Sequence, residues 1–305
     1  MNSTDRTKRS EAFMPQPQEG LVESICASRQ PALSETAEAA SATEITAALV
    51  ELYDIYYLSG EYRHRYPKPN RSTLEFLLKH GAASATRILD FGCGNGRYAL
   101  PLLQRTNARV VGFDISQAAI DEFAGYLRGS PLATRATLFC GNAELLERQG
   151  QYDLIMLLFG VLSHVGERAD RVRTLRQMRR LLADRGTLIL SVPSVFRRRP
   201  RNLLYAALRR ASGTATKSQK EPGNIFLVRN IADARRRMFY HLYSLKGLEE
   251  ELQESGFALR VRTPESLLPE WAVTQSNLLG KIDAALLSLL PPSLGYGIRV
   301  AADPV

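Results

Sequence analysis

Cysteine is scarce in this chain, with three residues, Cys26, Cys93 and Cys140, among 305. They are widely spaced and odd in number, which excludes a disulfide framework and a zinc cluster and predicts reduced thiols. Histidine is equally thin: four residues, never at the spacing two ligands of one metal ion need, so no metal is expected. No run of about 18 apolar residues is free of charge, and Met1 to Arg9 lacks the apolar centre of a secretory leader. No membrane span and a cytoplasmic location are therefore expected. Acid is missing from one segment in particular. Phe196 to Arg237 carries ten arginines and two lysines against Glu221 and Asp233, so it holds a charge of +10 in a chain whose net charge is +9. Whatever the basic charge does, it does there.

What is present is enough for one large domain: 45% of the residues are hydrophobic, and the length suits a single core with extensions. Residues 1–42 are rich in Ser, Thr, Ala, Gln, Glu and Pro without a sustained apolar period and read as a flexible tail outside the fold. From Thr43 the pattern turns helical, with Ile45, Leu49, Leu52, Ile55 and Tyr56 on one stripe and a second stretch at Leu74, Phe76, Leu77 and Leu78. The Tyr62-Arg63-His64-Arg65-Tyr66 run lies between them. Short apolar runs then alternate with longer amphipathic segments, the pattern of βαβ units in a parallel sheet. Strands are predicted at Arg87 to Phe91, Arg109 to Phe113, Thr137 to Cys140, Asp153 to Leu158 and Thr187 to Val192. The clearest helix is Arg168 to Ala183, with Val172, Leu175, Met178 and Leu182 on one face. After the basic insertion, a helix at Ser244 to Ser255, a strand at Ala258 to Thr263, a helix at Leu278 to Leu290 and a closing strand at Tyr296 to Ala301 complete the chain.

The sharpest chemical signal is Ile88-Leu89-Asp90-Phe91-Gly92-Cys93-Gly94-Asn95-Gly96-Arg97, a buried strand running into alternate glycines and then a helix. Glycine allows positive φ and lets a ligand approach the backbone closely, although a tight turn without a ligand uses glycine too. The spacing departs from the dinucleotide fingerprint. Asp90, just before the first glycine, would repel a pyrophosphate but can accept hydrogen bonds from an ammonium group, directly or through water. This polarity favours a zwitterionic amino-acid ligand over a nicotinamide dinucleotide. About twenty residues on, Val110-Val111-Gly112-Phe113 ends in Asp114, placed to take both hydroxyls of a ribose. The competing reading of Asp114 is a cap for the next helix, a task that Ser116 can also perform.

These segments resemble the class I S-adenosylmethionine-dependent methyltransferases: the glycine loop their first motif, and Asp114 the acid at the end of their second strand. Cys140-Gly141-Asn142-Ala143-Glu144 resembles the segment that reads adenine, with Asn142 where an Asp is common. Tyr152 to Val165 resembles strand 4 and its follow-on, Leu175 to Pro193 the next helix and strand, and Ser244 to Phe257 a later helix. The resemblance covers about 220 residues. It implies a Rossmann-like α/β fold: a seven-stranded, mostly parallel sheet with helices on both faces, N-terminal helices and a basic insertion after strand 5. The methyltransferase domain would span 43–305, divided into a helical cap (43–85), a cofactor-binding core (86–193), the insertion or lid (194–243) and the C-terminal part of the sheet (244–305). S-adenosyl-L-methionine would be held by Asp90, Gly92, Cys93, Gly94, Gly96, Asp114, Ile115, Asn142, Ala143 and Leu158. The segment after strand 4 lacks the Asn-Pro-Pro-Tyr or Asp-Pro-Pro-Tyr of enzymes that methylate exocyclic amines of bases, which disfavours that class.

Methyl transfer asks mainly for alignment of donor and acceptor, and for a base only if the acceptor must lose a proton. His164, Tyr240 and His241 are the candidate catalytic residues. His164 lies just past strand 4, on the edge where parallel sheets bind ligands. Tyr240 and His241 belong to the Phe239-Tyr240-His241-Leu242-Tyr243 cluster, which lines either the acceptor pocket or the core. The expected acceptor is a small molecule. The alternative is RNA held by residues 196–237, since Arg229 followed by that cluster resembles a region of methyltransferases acting on modified wobble uridines of tRNA. A non-catalytic protein that only binds the cofactor is a further alternative.

Overall fold

The computed structural model describes residues 42–196, 199–215, 220–287 and 289–305. The expected N-terminal tail, Cys26 and the basic residues Arg197, Arg198 and Lys217 lie outside the described residues. In chain order the elements are α1 (Ala42–Leu58), α2 (Glu61–Arg65), α3 (Arg71–Leu77), β1 (Arg87–Phe91), α4 (Ala99–Arg105), β2 (Arg109–Asp114), α5 (Gln117–Leu127) and β3 (Ala136–Cys140). They continue with β4 (Tyr152–Leu157), α6 (Val161–His164), α7 (Arg168–Leu181), β5 (Leu182–Pro193), α8 (Pro200–Ala211), β6 (Asn224–Ile231) and β7 (Ala234–His241). The last are α9 (Leu245–Glu254), β8 (Phe257–Pro264), α10 (Glu270–Gln275), α11 (Asn277–Leu287) and β9 (Gly297–Pro304).

Seven strands form one sheet in the order β3-β2-β1-β4-β5-β9-β8. The first five run parallel, and β9 is antiparallel to both β5 and β8. The predicted closing strand is thus an inner strand of the sheet, slotted between β5 and β8. Both sheet faces are covered, which is why the strands read as near-continuous apolar runs. In β1 the alternation sends Ile88 to one face and Leu89 to the other. Ile88, Leu154, Met156 and Ile189 pack with Leu102, Leu103 and Phe123 on the α4 and α5 side. Leu89, Ile155, Leu188 and Leu190 pack with Leu175, Met178, Leu248 and Leu252 on the α7 and α9 side.

Local sequence explains the helix positions. Glu167 and Asp170 form a reciprocal capping box at the start of α7. Val172, Leu175, Met178 and Leu181 then recur at helical spacing and are buried, each worth roughly 1.5–3 kcal/mol as an upper bound. Leu175→Ala would remove the central one, at a cost of about 2–5 kcal/mol. Ser116 caps α5 by accepting from Ala119 N at 3.1 Å, so Asp114 is free of that task.

A third apolar cluster lies above the C-terminal ends of the strands. Leu49, Leu52, Tyr56 and Tyr57 of α1 meet Ile225, Leu227, Met238 and Tyr240 of a two-stranded hairpin, β6–β7. Much of the basic insertion is therefore β-hairpin. Its two-residue turn, Ala232-Asp233, has positive φ at both positions (48° and 60°), the mirror-image geometry that suits strand twist. The turn is tied to α2 by Ala232 N, which donates to the Glu61 carboxylate at 2.6 Å.

Candidate functional site

A cleft of about 970 Å³ opens at the C-terminal ends of the strands, under α1. Of the residues expected to hold a cofactor, Gly92, Asp114, Ile115, Asn142, Ala143 and Leu158 line it. Asp90, Cys93, Gly94 and Gly96 stand behind that lining. Gly92 and Cys93 donate their backbone N–H groups to Phe113 O at 2.7 and 2.9 Å, which folds the loop back over β2. A Cβ on Gly92, at φ 82°, would come within 2.3 Å of Val161 Cγ2. On Gly94 it would come within 2.3 Å of Tyr57 Oη, the tyrosine through which α1 covers the loop. Gly96 makes room for Phe123 instead, so its role is packing of α5 against the loop.

Asp114 sits at the centre of the cleft. One carboxylate oxygen accepts from Gly94 N at 2.7 Å and the other from Ser116 N at 3.0 Å. A carboxylate has about four acceptor positions, so two remain for a diol. Burial pushes this carboxyl up, opposed by the backbone donors. Asp90 is 3% exposed, and among the described residues it has no hydrogen-bond or ion-pair partner. Burial, with Asp114 close by, lifts its carboxyl to about 8. An orphaned buried acid beside a glycine loop fits the ammonium end of an amino acid, which would restore its charge. Asn142 Oδ1 accepts from Glu144 N at 2.9 Å, leaving the amide nitrogen to donate to a ring nitrogen. The residues present thus fit S-adenosylmethionine from end to end.

Beyond the cleft lies a throat, a cavity of about 60 Å³ that shares Tyr53, Tyr62, Phe159 and His164 with it. Phe159 adopts φ 60°, a costly backbone for an aromatic residue, of order 1–3 kcal/mol. It is held by Phe159 N donating to Ser191 Oγ at 2.8 Å and by its ring under the Arg97 guanidinium, 4.5 Å away. Arg97 is itself buried against Glu270 at 3.4 Å.

The structure brings His164 and Tyr240 together at the throat, with ring centroids 4.8 Å apart. His164 Nδ1 lies 3.1 Å from Phe239 O and Nε2 lies 2.9 Å from Tyr53 Oη. A carbonyl only accepts, so Nδ1 carries the proton and Nε2 accepts from the tyrosine hydroxyl. Burial is the main cause that lowers His164 to about 4, and Arg229 adds to it. His241 is placed elsewhere. It is buried, its Nδ1 lies 2.5 Å from Asn224 Oδ1, and it lines neither cleft nor throat. Its ligand atom lies within 4.8 Å of those of Glu221 and Glu251, but Arg171 pairs with both acids and supplies the cationic charge there. Burial, then Arg171, holds His241 down at about 2.

Sequence reasoning did not single out Tyr53, Tyr57 or Phe159. For the two tyrosines the signal was the density of aromatics in Tyr53 to Tyr57, which reads equally well as core. The Tyr62 to Tyr66 run divides: Tyr62 faces cleft and throat, Tyr66 the throat, Arg65 the throat and a further cavity outside, and His64 that outer cavity.

A 3-2-1-4-5 parallel sheet with an antiparallel strand inserted next to strand 5, a glycine loop and an acid on strand 2 define a class I S-adenosylmethionine-dependent methyltransferase. Residues 62–260 match the family model described as "Methyltransferase domain". The chain belongs to that family. Over 172 residues it is 28% identical to a protein of Encephalitozoon cuniculi whose name assigns it provisionally to the methyltransferases, covering 56% of this chain and 69% of the relative. Over 76 residues it is 34% identical to the tRNA1(Val) (adenine(37)-N6)-methyltransferase of Bacteroides fragilis, covering 24% of this chain and 32% of that one. Among solved structures, a SAM-dependent methyltransferase of Methanosarcina mazei superposes with a TM-score of 0.54 at 18% identity, covering 75% of this chain and 97% of its own. The protein is an S-adenosylmethionine-dependent enzyme of this fold. Among the described residues no helix is long and apolar enough to cross a membrane.

Proposed function

We propose that the protein methylates a small-molecule acceptor that reaches the donor through the throat between α1, Phe159 and the β6–β7 hairpin. S-adenosylmethionine supplies a methyl group already activated on a sulfonium, so the chain's task is to align the acceptor and keep water out. Asp114 and Asp90 grip the two ends of the donor, with the main chain at Gly92 against its middle. Tyr53 Oη, oriented by His164, offers its lone pairs to the acceptor's reacting O–H or N–H and so aims the nucleophile. A histidine held near 4 takes up a proton poorly at neutral pH. His164 and Tyr240 therefore act in positioning, and the acceptor reacts through a lone pair it already has.

The observation that carries the small-molecule reading is the engagement of three of the insertion's arginines with their own chain. Arg236 pairs with Glu51 at 3.7 Å, Arg237 lies 4.1 Å from the Phe226 ring centroid, and Arg209 donates to Thr214 O at 2.6 Å. Leu204, Tyr205 and Leu208 of α8 are exposed, so α8 offers no continuous basic face to a nucleic acid. The second reading, a tRNA acceptor, is supported by the +10 charge of residues 196–237 and by the short match to the Bacteroides enzyme. The segment after β4 reads Leu158-Phe159-Gly160-Val161 and lacks the motif for exocyclic amines, which weighs against an adenine-N6 acceptor and leaves a modified uridine as the form of this second reading. Incubation with methyl-labelled donor and cell extract, fractionated into small molecules, RNA and protein, tests the reading. Label in the small-molecule fraction is expected, and label confined to RNA would replace this reading with the second.

A further inference from the structure

Outside the throat the path widens into a cavity of about 480 Å³. The two share Tyr56, Arg65, Arg199, Arg229 and Trp271. Three arginines, the exposed Arg65 and Arg199 and the partly buried Arg229, thus line the shared space. Arg229 is the anomalous one. It is partly buried, and among the described residues no carboxylate pairs with it and no hydrogen bond ties it down. The groups acting on it are tyrosines: Tyr66, Tyr53, Tyr56 and Tyr240. Directly across the hairpin it faces Arg236, a like-charged pair that costs stability, and Glu51 answers Arg236 alone.

The acids nearby are already committed. Glu61 accepts from Ala232 N, and Glu270 takes Arg97, Tyr98 and Asn70. A fold does not keep a partly buried, uncompensated guanidinium without a cost, and the missing partner is an anion. Trp271, 43% exposed, lies along the same cavity and offers a flat apolar face.

On the reading that the throat admits the methyl acceptor, we propose that this outer cavity is the acceptor's anion-binding subsite. It takes a small ring-bearing acid, a carboxylate or a phosphate monoester, whose charged group is held by Arg229 with Arg65 and Arg199 and whose ring lies against Trp271. The anion fixes the far end of the molecule, and the atom to be methylated points through the throat to Tyr53.

Trp271 is the chain's single tryptophan, so red-edge-excited fluorescence reports this cavity directly. The experiment titrates the full chain, saturated with S-adenosylhomocysteine, with benzoate, phenyl phosphate, uncharged benzamide and, separately, unfractionated tRNA. Saturable change with one or both anions and none with benzamide is expected, and the stronger anion identifies the group as carboxylate or phosphate. Arg229→Gln should weaken the anions by roughly tenfold or more, the scale of a lost charge-assisted contact, while affinity for S-adenosylhomocysteine stays unchanged. Arg65→Gln, at an exposed position, should weaken them in the same direction and covers the case in which Arg229→Gln does not fold. Benzamide binding as well as benzoate, undiminished anion binding by both variants, or a response to unfractionated tRNA alone would overturn the subsite. Failure of the wild type to bind S-adenosylhomocysteine in calorimetry, with anion binding intact, would instead sink the methyl-transfer reading.

Discussion

In the proposed donor site the grip comes largely from main chain at the ends of β1 and β2 and from two acids, whereas in the proposed acceptor site it comes from side chains carried by α1, α2, α10 and the β6–β7 hairpin. The difference is one of construction. The proposed donor half needs glycines and acids at set intervals along consecutive elements, because a closely approaching main chain and a carboxylate one strand away would do the holding. The acceptor half is assembled from residues as far apart as Tyr53, His164, Arg229 and Trp271, brought together by packing of the cap. Electrostatics separates the halves too. The donor half keeps a buried acid without a base, Asp90, and the acceptor half keeps a partly buried base without an acid, Arg229.

The largest predicted effect is that the halves titrate in opposite directions. His164 is lowered to about 4 from an ordinary 6.5, so below pH 6.5 the unfolded chain binds a proton the folded one refuses. Its contribution is present above pH 6.5 and lost as pH falls towards 4, by about 3 kcal/mol. Asp90 is raised to about 8 from 3.8. Over the same window the folded chain keeps a proton the unfolded one has lost, and acidification restores about 3 kcal/mol. Urea unfolding at pH 4 and pH 6.5 separates them. Relative to wild type, His164→Gln should gain on acidification and Asp90→Asn should lose; slopes of the same sign would erase the contrast.

Next in size is Asp114→Ala. It removes the acceptor of Gly94 N and Ser116 N and the proposed hold on a ribose. Affinity for S-adenosylhomocysteine should fall by about 1–3 kcal/mol in calorimetry, while benzoate binding read from Trp271 stays as it was. A variant that loses both ligands equally would show that the halves are not separable.

The donor half was the legible one. The predicted strands Arg87 to Phe91 and Arg109 to Phe113 appear as Arg87–Phe91 and Arg109–Asp114, because a parallel strand buried on both faces announces itself by unbroken apolar residues. The glycines and Asp114 were visible because they end two strands that follow one another in the chain. The hairpin was not, because its Ala232-Asp233 turn lacks the Asn-Gly or Asp-Gly signal and its strands carry arginines at Arg229, Arg235, Arg236 and Arg237. Nor did spacing distinguish His164 at the throat from His241 against Asn224. Their separation depends on α6 setting His164 against β7 while the end of β7 turns its own His241 to Asn224, a tertiary fact.

Tyr53→Phe probes the acceptor half alone. It removes the hydroxyl that meets His164 Nε2 at 2.9 Å and leaves the ring in place. The turnover number should drop roughly tenfold, or about 1.4 kcal/mol, with donor affinity unchanged. A change in donor affinity of the same size would move Tyr53 to the other side of the comparison.

The smallest effect is a fraction of a proton, and it tests the donor half most directly. With its carboxyl near 8, Asp90 is roughly nine-tenths protonated at pH 7. An ammonium group brought close favours the ionised form, so binding of S-adenosylhomocysteine should expel close to one proton at pH 7 and progressively less above pH 8. Calorimetry at pH 7 in two buffers measures this number as the difference between the observed heats divided by the difference between the buffers' ionisation enthalpies. Asp90→Asn should make the two heats equal, while Arg229→Gln, in the other half, should leave the difference intact. Equal heats for the wild type would mean that Asp90 does not meet the ammonium end of the ligand, and the orphaned acid would then need a different partner.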